Sequence, residues 1–164
     1  MHPRASALIR ELSLEPHPEG GHYRRIHTSS NNILVDGRPR AAETAIAFLL
    51  GAGECSRWHR IDADETWHWQ EGDSLELLCF DAQAGTLSKT VLGDPLRSRR
   101  AMHVVPAGTW QSARSLGGYV LVACAVSPGF KWAGFELLDD NGEVAEELSR
   151  LGALHAPGFK KDED

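Results

Sequence analysis

Between His22 and Ser127 the chain is cut again and again by turn signals: DGRP, GAGE, EGD, DAQAG, LGDP and LGG, each carrying glycine or proline. Proline lacks a backbone N–H and glycine enters left-handed backbone angles freely, so both end regular elements. The runs between them are short and rich in β-branched, aromatic and leucine side chains. Their spacing predicts strands over His22–Ser29, Glu43–Leu50, Glu65–Gln70, Leu75–Asp81, Thr86–Leu92, His103–Pro106, Thr109–Ala113 and Tyr119–Ser127. Such a series specifies an all-β sandwich or barrel. Each half also carries a glycine-bounded hairpin, the faint symmetry that a double Greek key produces.

Helical spacing is confined to the two ends. Leu8, Ile9 and Leu12 predict a short helix over Ala5–Leu12, and Val144, Leu148 and Leu151 predict another over Glu143–Leu151. The second is expected to cover a barrel end or an edge. The closing GFKKDED has charge without periodicity, so a loose tail is expected from about residue 157. The 164 residues suit a single domain.

Composition narrows the possible partners. The net charge is −6 and basic residues are scattered, apart from Arg97, Arg99 and Arg100, so the electrostatic footprint of nucleic-acid binding is missing. Apolar runs such as Tyr119–Val126 fall far short of the roughly 20 residues a membrane helix needs. Arg10 and Glu11 interrupt any apolar leader core, and the expected location is the cytoplasm. Cys55, Cys79 and Cys124 occur singly, an odd set that does not make a disulfide framework.

Two spaced motifs stand out from this background. Gly53, His59, Glu65 and Gly72 follow the pattern G-x5-H-x5-E-x6-G, and Pro106 to Gln111 follow P-x-G-x-x-H with glutamine in the histidine place. The pair resembles the frame of the cupin superfamily. That resemblance implies a jelly-roll barrel whose motif histidines and glutamate point inward around iron, manganese, nickel or zinc. Ile61 stands where the second histidine belongs, and isoleucine cannot ligate. An amide oxygen such as that of Gln111 suits hard ions better than borderline ones. The expectation is therefore no cofactor, the alternative being one divalent transition metal held weakly by His59, Glu65 and Gln111. A tight site would need His22, His68 or His103, and strand alternation turns His68 away from Glu65.

Four longer strings occur in fixed order: LxxEPHPEGGHYRR, SRWHRIDADETWHWQEGDSLEL, VPAGTWQSA and SPGFKWAGFELLD. Together they resemble a small cupin family labelled a domain of unknown function, over most of the chain. The resemblance implies a double-stranded β-helix, a homodimer, and a shape similar to nucleotide-sugar epimerases and seed-storage cupins. It implies no reaction, because fold does not determine chemistry.

The residues themselves describe a pocket. If Glu65 points inward, alternation places Trp67 and Trp69 on the same face as an aromatic wall, although large core side chains have the same pattern. A carboxylate within reach of His59 fixes its tautomer and raises its basicity, so Glu65 is expected to orient His59 or to act as a second acid–base group. In the epimerases resembled, a histidine removes a proton beside a carbonyl and a tyrosine returns one; His59 is the expected base here and Tyr23 the expected acid. Arg24 or Arg25 could hold a phosphate or carboxylate, and Gln111 could hydrogen-bond a ligand. His17-Pro18-Glu19-Gly20-Gly21 reads first as a shaped turn with positive φ at a glycine, and second as a histidine and a glutamate approaching the ligand. The functional expectation is a metal-independent epimerase or isomerase acting on a small polar or sugar-like molecule. The alternatives are a binding module without turnover and a metal-dependent enzyme with an incomplete ligand set.

Overall fold

The computed structural model describes residues 1–154, so the expected tail lies outside the described residues. Helix α1 (Pro3–Glu11) precedes strands β1 (Glu15–Pro16), β2 (His22–Thr28), β3 (Asn32–Val35), β4 (Arg38–Ala41), β5 (Thr44–Gly51), β6 (Cys55–Ile61) and β7 (Asp64–Gly72). Then come β8 (Leu75–Asp81), β9 (Thr86–Leu92), β10 (Met102–Val105), β11 (Trp110–Ser115), β12 (Tyr119–Ser127), β13 (Phe135–Leu137) and helix α2 (Glu143–Arg150). Strands β8, β9 and β12 have the bounds that the turn signals predict.

Two antiparallel sheets face each other. One runs β1-β2-β5-β12-β7-β10, the other β13-β6-β11-β8-β9, and β3-β4 form a separate hairpin. Alternation sorts their side chains. In β12, Val120, Val122, Cys124 and Val126 point between the sheets, and Leu121 points out. Their partners continue the pattern: Phe48 opposes Val122 and Trp67 opposes Cys124, so Phe48, Trp67, Leu75, Leu77 and Val122 close one part of the space between the sheets.

The helices cover outer faces. Ala5 and Leu8 of α1 pack with Leu49 and Leu121 on the back of the six-stranded sheet. Leu148 of α2 packs with Trp58, Phe80 and Trp110 on the back of the five-stranded one, where the Trp58 indole N–H donates to the Ala153 carbonyl at 2.9 Å. Helix α2 thus shields a sheet face rather than the barrel end or edge expected from its sequence. The strands under the helices are thereby covered on two sides, which is how those rich in leucine and valine avoid facing water, whereas β2 and β9 remain largely exposed. No helix among the described residues is long and apolar enough to cross a membrane.

The periodic signal missed β6. In CSRWHRI, Ser56, His59 and Ile61 are buried, Trp58 is buried on the opposite face under α2, and the pairing of β6 with β11 shifts register between Gln111 and Ala113. The bulge puts Ser56 and His59, three apart, on one face, where simple alternation would separate them. Leu148→Ala is expected to lower unfolding free energy by about 2–4 kcal/mol in urea titrations, since it empties a fully buried position. Because that position lies outside the barrel, ligand binding in the cavity should be retained.

Candidate functional site

At the other part of the inter-sheet space the packing opens into a cavity of about 110 Å³. Its inner end is formed by Glu19, His59, Ile61, Glu65 and Cys124, its outer end by His17, Tyr23, Arg25, Phe130, Trp132 and Phe135. The volume holds a few waters or a small polar molecule. Trp132 is 51% exposed, whereas His59, Glu19 and Glu65 are 2%, 5% and 7% exposed.

Each carboxyl or imidazole group at the inner end comes from a different element. Glu65 stands on β7 of the six-stranded sheet and His59 on β6 of the other, so the barrel brings them to one space from opposite walls. Glu19 comes from the turn between β1 and β2. That turn is pinned by hydrogen bonds: the Arg57 N–H donates to the Glu19 carbonyl at 2.7 Å, and Arg57 Nη2 to the Pro18 carbonyl at 2.6 Å. Gly20 has φ +112°, and a Cβ there would lie 2.3 Å from the Cys55 carbonyl oxygen. The shaped-turn reading of HPEGG is therefore right about its backbone, and the same turn drives Glu19 into the cavity.

Both carboxyls act on His59, but Glu19, not Glu65, is the one in direct polar contact with it. Glu19 Oε2 is 3.2 Å from His59 Nε2, and among the described residues no hydrogen bond or ion pair joins His59 to Glu65. His59 Nδ1 is 2.8 Å from the Arg57 carbonyl, an acceptor only, so Nδ1 carries a proton. In a neutral imidazole Nε2 is then a lone pair facing Glu19. Burial pushes Glu19 up to about 8, partly offset by a hydrogen bond from Ser56 and by Arg57, and burial also lowers His59. Near neutral pH the consistent arrangement is a protonated Glu19 donating to Nε2.

Glu65 is differently dressed. The Gln111 Nε2 amide donates to Glu65 Oε2 at 2.6 Å, and the Trp67 indole N–H donates to Gln111 Oε1 at 2.8 Å. Burial lifts Glu65 to about 7, the neighbouring His59 opposes this, Glu19 adds to it, and donors from Gln111 and Cys124 pull it back down. His17, its Nδ1 accepting the Glu19 N–H at 3.2 Å, is lowered by burial to about 4.

Several sequence expectations are corrected. Trp67 faces inward as alternation requires, but it belongs to the packed core and reaches the site only through Gln111. Trp69 donates its indole N–H to the Asp73 carbonyl at 3.1 Å and lines no part of the cavity. Arg24 reaches the Leu12 carbonyl; Arg25 is the arginine at the cavity. Gln111 positions Glu65 and does not line the cavity. Tyr23 does line it, edge-on to His17 with ring centroids 4.4 Å apart. Glu19 is the site residue to which the motif spacing does not point. Its signal was the glycine pair after it, which marks a close backbone approach.

The ion that the superfamily frame implies does not fit these residues. An indole N–H can only donate, so it takes the Gln111 amide oxygen and leaves the NH₂ facing Glu65. The one atom of Gln111 able to ligate is thereby turned away. Ile61 lines the cavity in the second-histidine place, and His22, His68 and His103 line none of it. Among the described residues no group of three or more His, Cys, Asp or Glu side chains is arranged to hold a metal.

The raised Glu19 value has a thermodynamic consequence. Its folded value of about 8 exceeds its ordinary 4.5, so the stability it contributes is present below the ordinary value and lost as pH rises through about 8. Glu19→Gln is expected to remove that loss, on the order of a few kcal/mol, so urea midpoints of variant and wild type should converge in acid and separate in the variant's favour at mildly alkaline pH. Parallel profiles would contradict a protonated Glu19. Gly20→Ala is expected to destabilise the fold by more than 1 kcal/mol, read as a lower urea midpoint, because both its backbone angle and the Cys55 carbonyl resist a Cβ.

Known proteins place this barrel. A family profile described as Cupin superfamily (DUF985) matches residues 6–138. A protein from Shewanella oneidensis is 34% identical, with TM-score 0.82, covering 92% of this chain and 94% of that one. A hypothetical protein from Leishmania major is 30% identical, with TM-score 0.80 and coverages of 92% and 95%. A dTDP sugar isomerase from Desulfovibrio desulfuricans shares the fold at 13% identity and TM-score 0.53, covering 73% of this chain and 85% of that one. No curated protein matches. The chain, with its jelly-roll of two antiparallel sheets around a His59–Glu65 cavity, belongs to the DUF985 family of the cupin superfamily.

Proposed function

We propose that the protein binds a small polar molecule in the barrel and isomerises or epimerises it by moving protons beside a carbonyl. The observation that carries this reading is the set of Glu19, His59 and Glu65, three ionisable groups buried together at the inner end of one cavity. Burying such groups is costly, and structural needs alone are better met by apolar side chains. Perturbed carboxyls and imidazoles in a cleft are the hallmark of proton-transfer sites.

The hydrogen bonds divide the labour. Glu65 is the base: donors from Gln111 and Cys124 support its carboxylate, and burial keeps it basic near neutral pH. His59 is not a free base, because its Nε2 faces Glu19. The His59 side therefore supplies a proton to the carbonyl oxygen, with the Tyr23 hydroxyl on the same cavity as a second donor. In the step, Glu65 takes the proton from carbon and the C–H pair becomes a C=C bond. The carbonyl π pair moves to oxygen, which accepts the proton. Delivery of the Glu65 proton to the neighbouring carbon completes an isomerisation; a proton from Tyr23 at the other face completes an epimerisation, after which Glu65 loses its proton to solvent and the phenolate regains one, with no redox change. That a dTDP sugar isomerase shares the barrel supports this reading only at the level of fold.

Incubation with small hydroxyaldehydes, ketoses and nucleotide sugars in deuterated water, followed by proton NMR, tests it. Wild type is expected to exchange hydrogen beside the carbonyl of one class, and Glu65→Gln and His59→Ala to slow this about 100-fold or more. Undiminished exchange in both variants would sink the assignment. Binding without exchange would assign the barrel to a binding module.

A further inference from the structure

Among the described residues no lysine or arginine lines the inner end of the cavity, and the nearby Arg57 guanidinium is spent on the Pro18 carbonyl, where it only partly offsets the raised Glu19. The imidazole there, His59, and the nearby His17 are both pushed toward the neutral form by burial, and the arginine lining the cavity, Arg25, is an exposed residue. Two carboxyls, Glu19 and Glu65, face the same space. An anionic oxygen brought there would lose its water without gaining a cation.

The Glu19–His59 contact adds a second constraint. With Nδ1 committed to the Arg57 carbonyl, a neutral His59 turns a lone pair toward Glu19 Oε2 at 3.2 Å. Two bare acceptors at that distance in a buried site repel each other, and one proton between them turns the repulsion into a hydrogen bond. They cannot move apart cheaply. Arg57 ties down the Glu19 turn, Gly20 lies against the Cys55 carbonyl, and the His59 ring stacks on Phe135 with centroids 5.6 Å apart.

We infer that Glu19 and His59 work as one proton-carrying unit, and that the ligand head group meeting it is uncharged: a carbonyl or hydroxyl, not a carboxylate or phosphate. This rests on the acid–base reading of the same cavity. Handing its proton to a carbonyl oxygen leaves the pair with facing lone pairs, so it reclaims that proton as the enol collapses, and the site resets without outside acid. The half-exposed Trp132 at the outer end lies edge-on to Phe135 at 5.4 Å and roughly parallel to His17 at 5.8 Å, an aromatic rim suited to the C–H face of a polyol.

Saturation-transfer NMR with dihydroxyacetone and glycerate, a neutral and an anionic three-carbon probe, tests the head-group class on the wild-type protein. Dihydroxyacetone is expected to bind at least about tenfold more tightly. Equal binding, a preference for glycerate, or no binding of dihydroxyacetone overturns the inference. Nitrogen NMR of the His59 ring tests the shared proton: Nε2 should carry the signature of a hydrogen-bonded acceptor in wild type and change in Glu19→Gln. An unchanged Nε2 overturns it, and Glu19→Asp serves as a second variant that shortens the reach while keeping the acid. Deuterium exchange separates the two readings. Preferential binding of dihydroxyacetone without exchange would fell the isomerase reading and leave the neutral head group standing. Exchange into glycerate alone would do the reverse.

Discussion

The side-chain amide of Gln111 links the two walls of the barrel at the level of the site. It accepts from Trp67 and donates to Glu65, both on β7, while itself standing on β11 in the opposing sheet. Because an indole N–H can only donate, the amide has one orientation that satisfies all three groups. The chemistry of the Glu65 wall follows from that choice. It presents N–H to Glu65, supports a carboxylate there, and removes the amide oxygen from any ligand role. A histidine in the same place would have offered a ring nitrogen instead.

The second organising constraint is the burial of acid groups without cations. Glu19 and Glu65 are both lifted toward neutral pH by loss of water, and among the described residues no arginine or lysine lines the inner cavity, Arg57 opposing the lift of Glu19 from outside it. They differ in what they touch. Glu65 receives donors and holds its charge more easily, whereas Glu19 faces a histidine lone pair and keeps its proton. Two carboxyls raised in the same direction by burial are thus set apart by their hydrogen-bond partners.

Much of the scaffold was legible in residue order. Glycine and proline punctuation marked the bounds of β8, β9 and β12, and helical spacing marked both helices within a few residues. Strand β6 escaped because its bulge breaks the two-residue period, and the β3–β4 hairpin because its side chains are mostly exposed and show no apolar face. The site was half legible. Motif spacing singled out His59, Glu65 and Gln111, and alternation correctly turned Trp67 inward. It could not say whether an inward tryptophan lines a cavity or fills the core next to it, since both satisfy the same period.

Local chemistry along the chain accounts for the all-β class, the two motif glycines and the loss of a metal ligand at Ile61, because these depend on which residues are adjacent or evenly spaced. Pairing Glu19 with His59, turning the Gln111 amide and choosing Arg25 over Arg24 are of another kind. They depend on distances across the barrel between elements tens of residues apart, which a bulge, a glycine turn and a register shift set together. The spacing of His59 and Glu65 suggested that these two were partners. Folding puts them on opposite walls and brings Glu19 to His59 in Glu65's place.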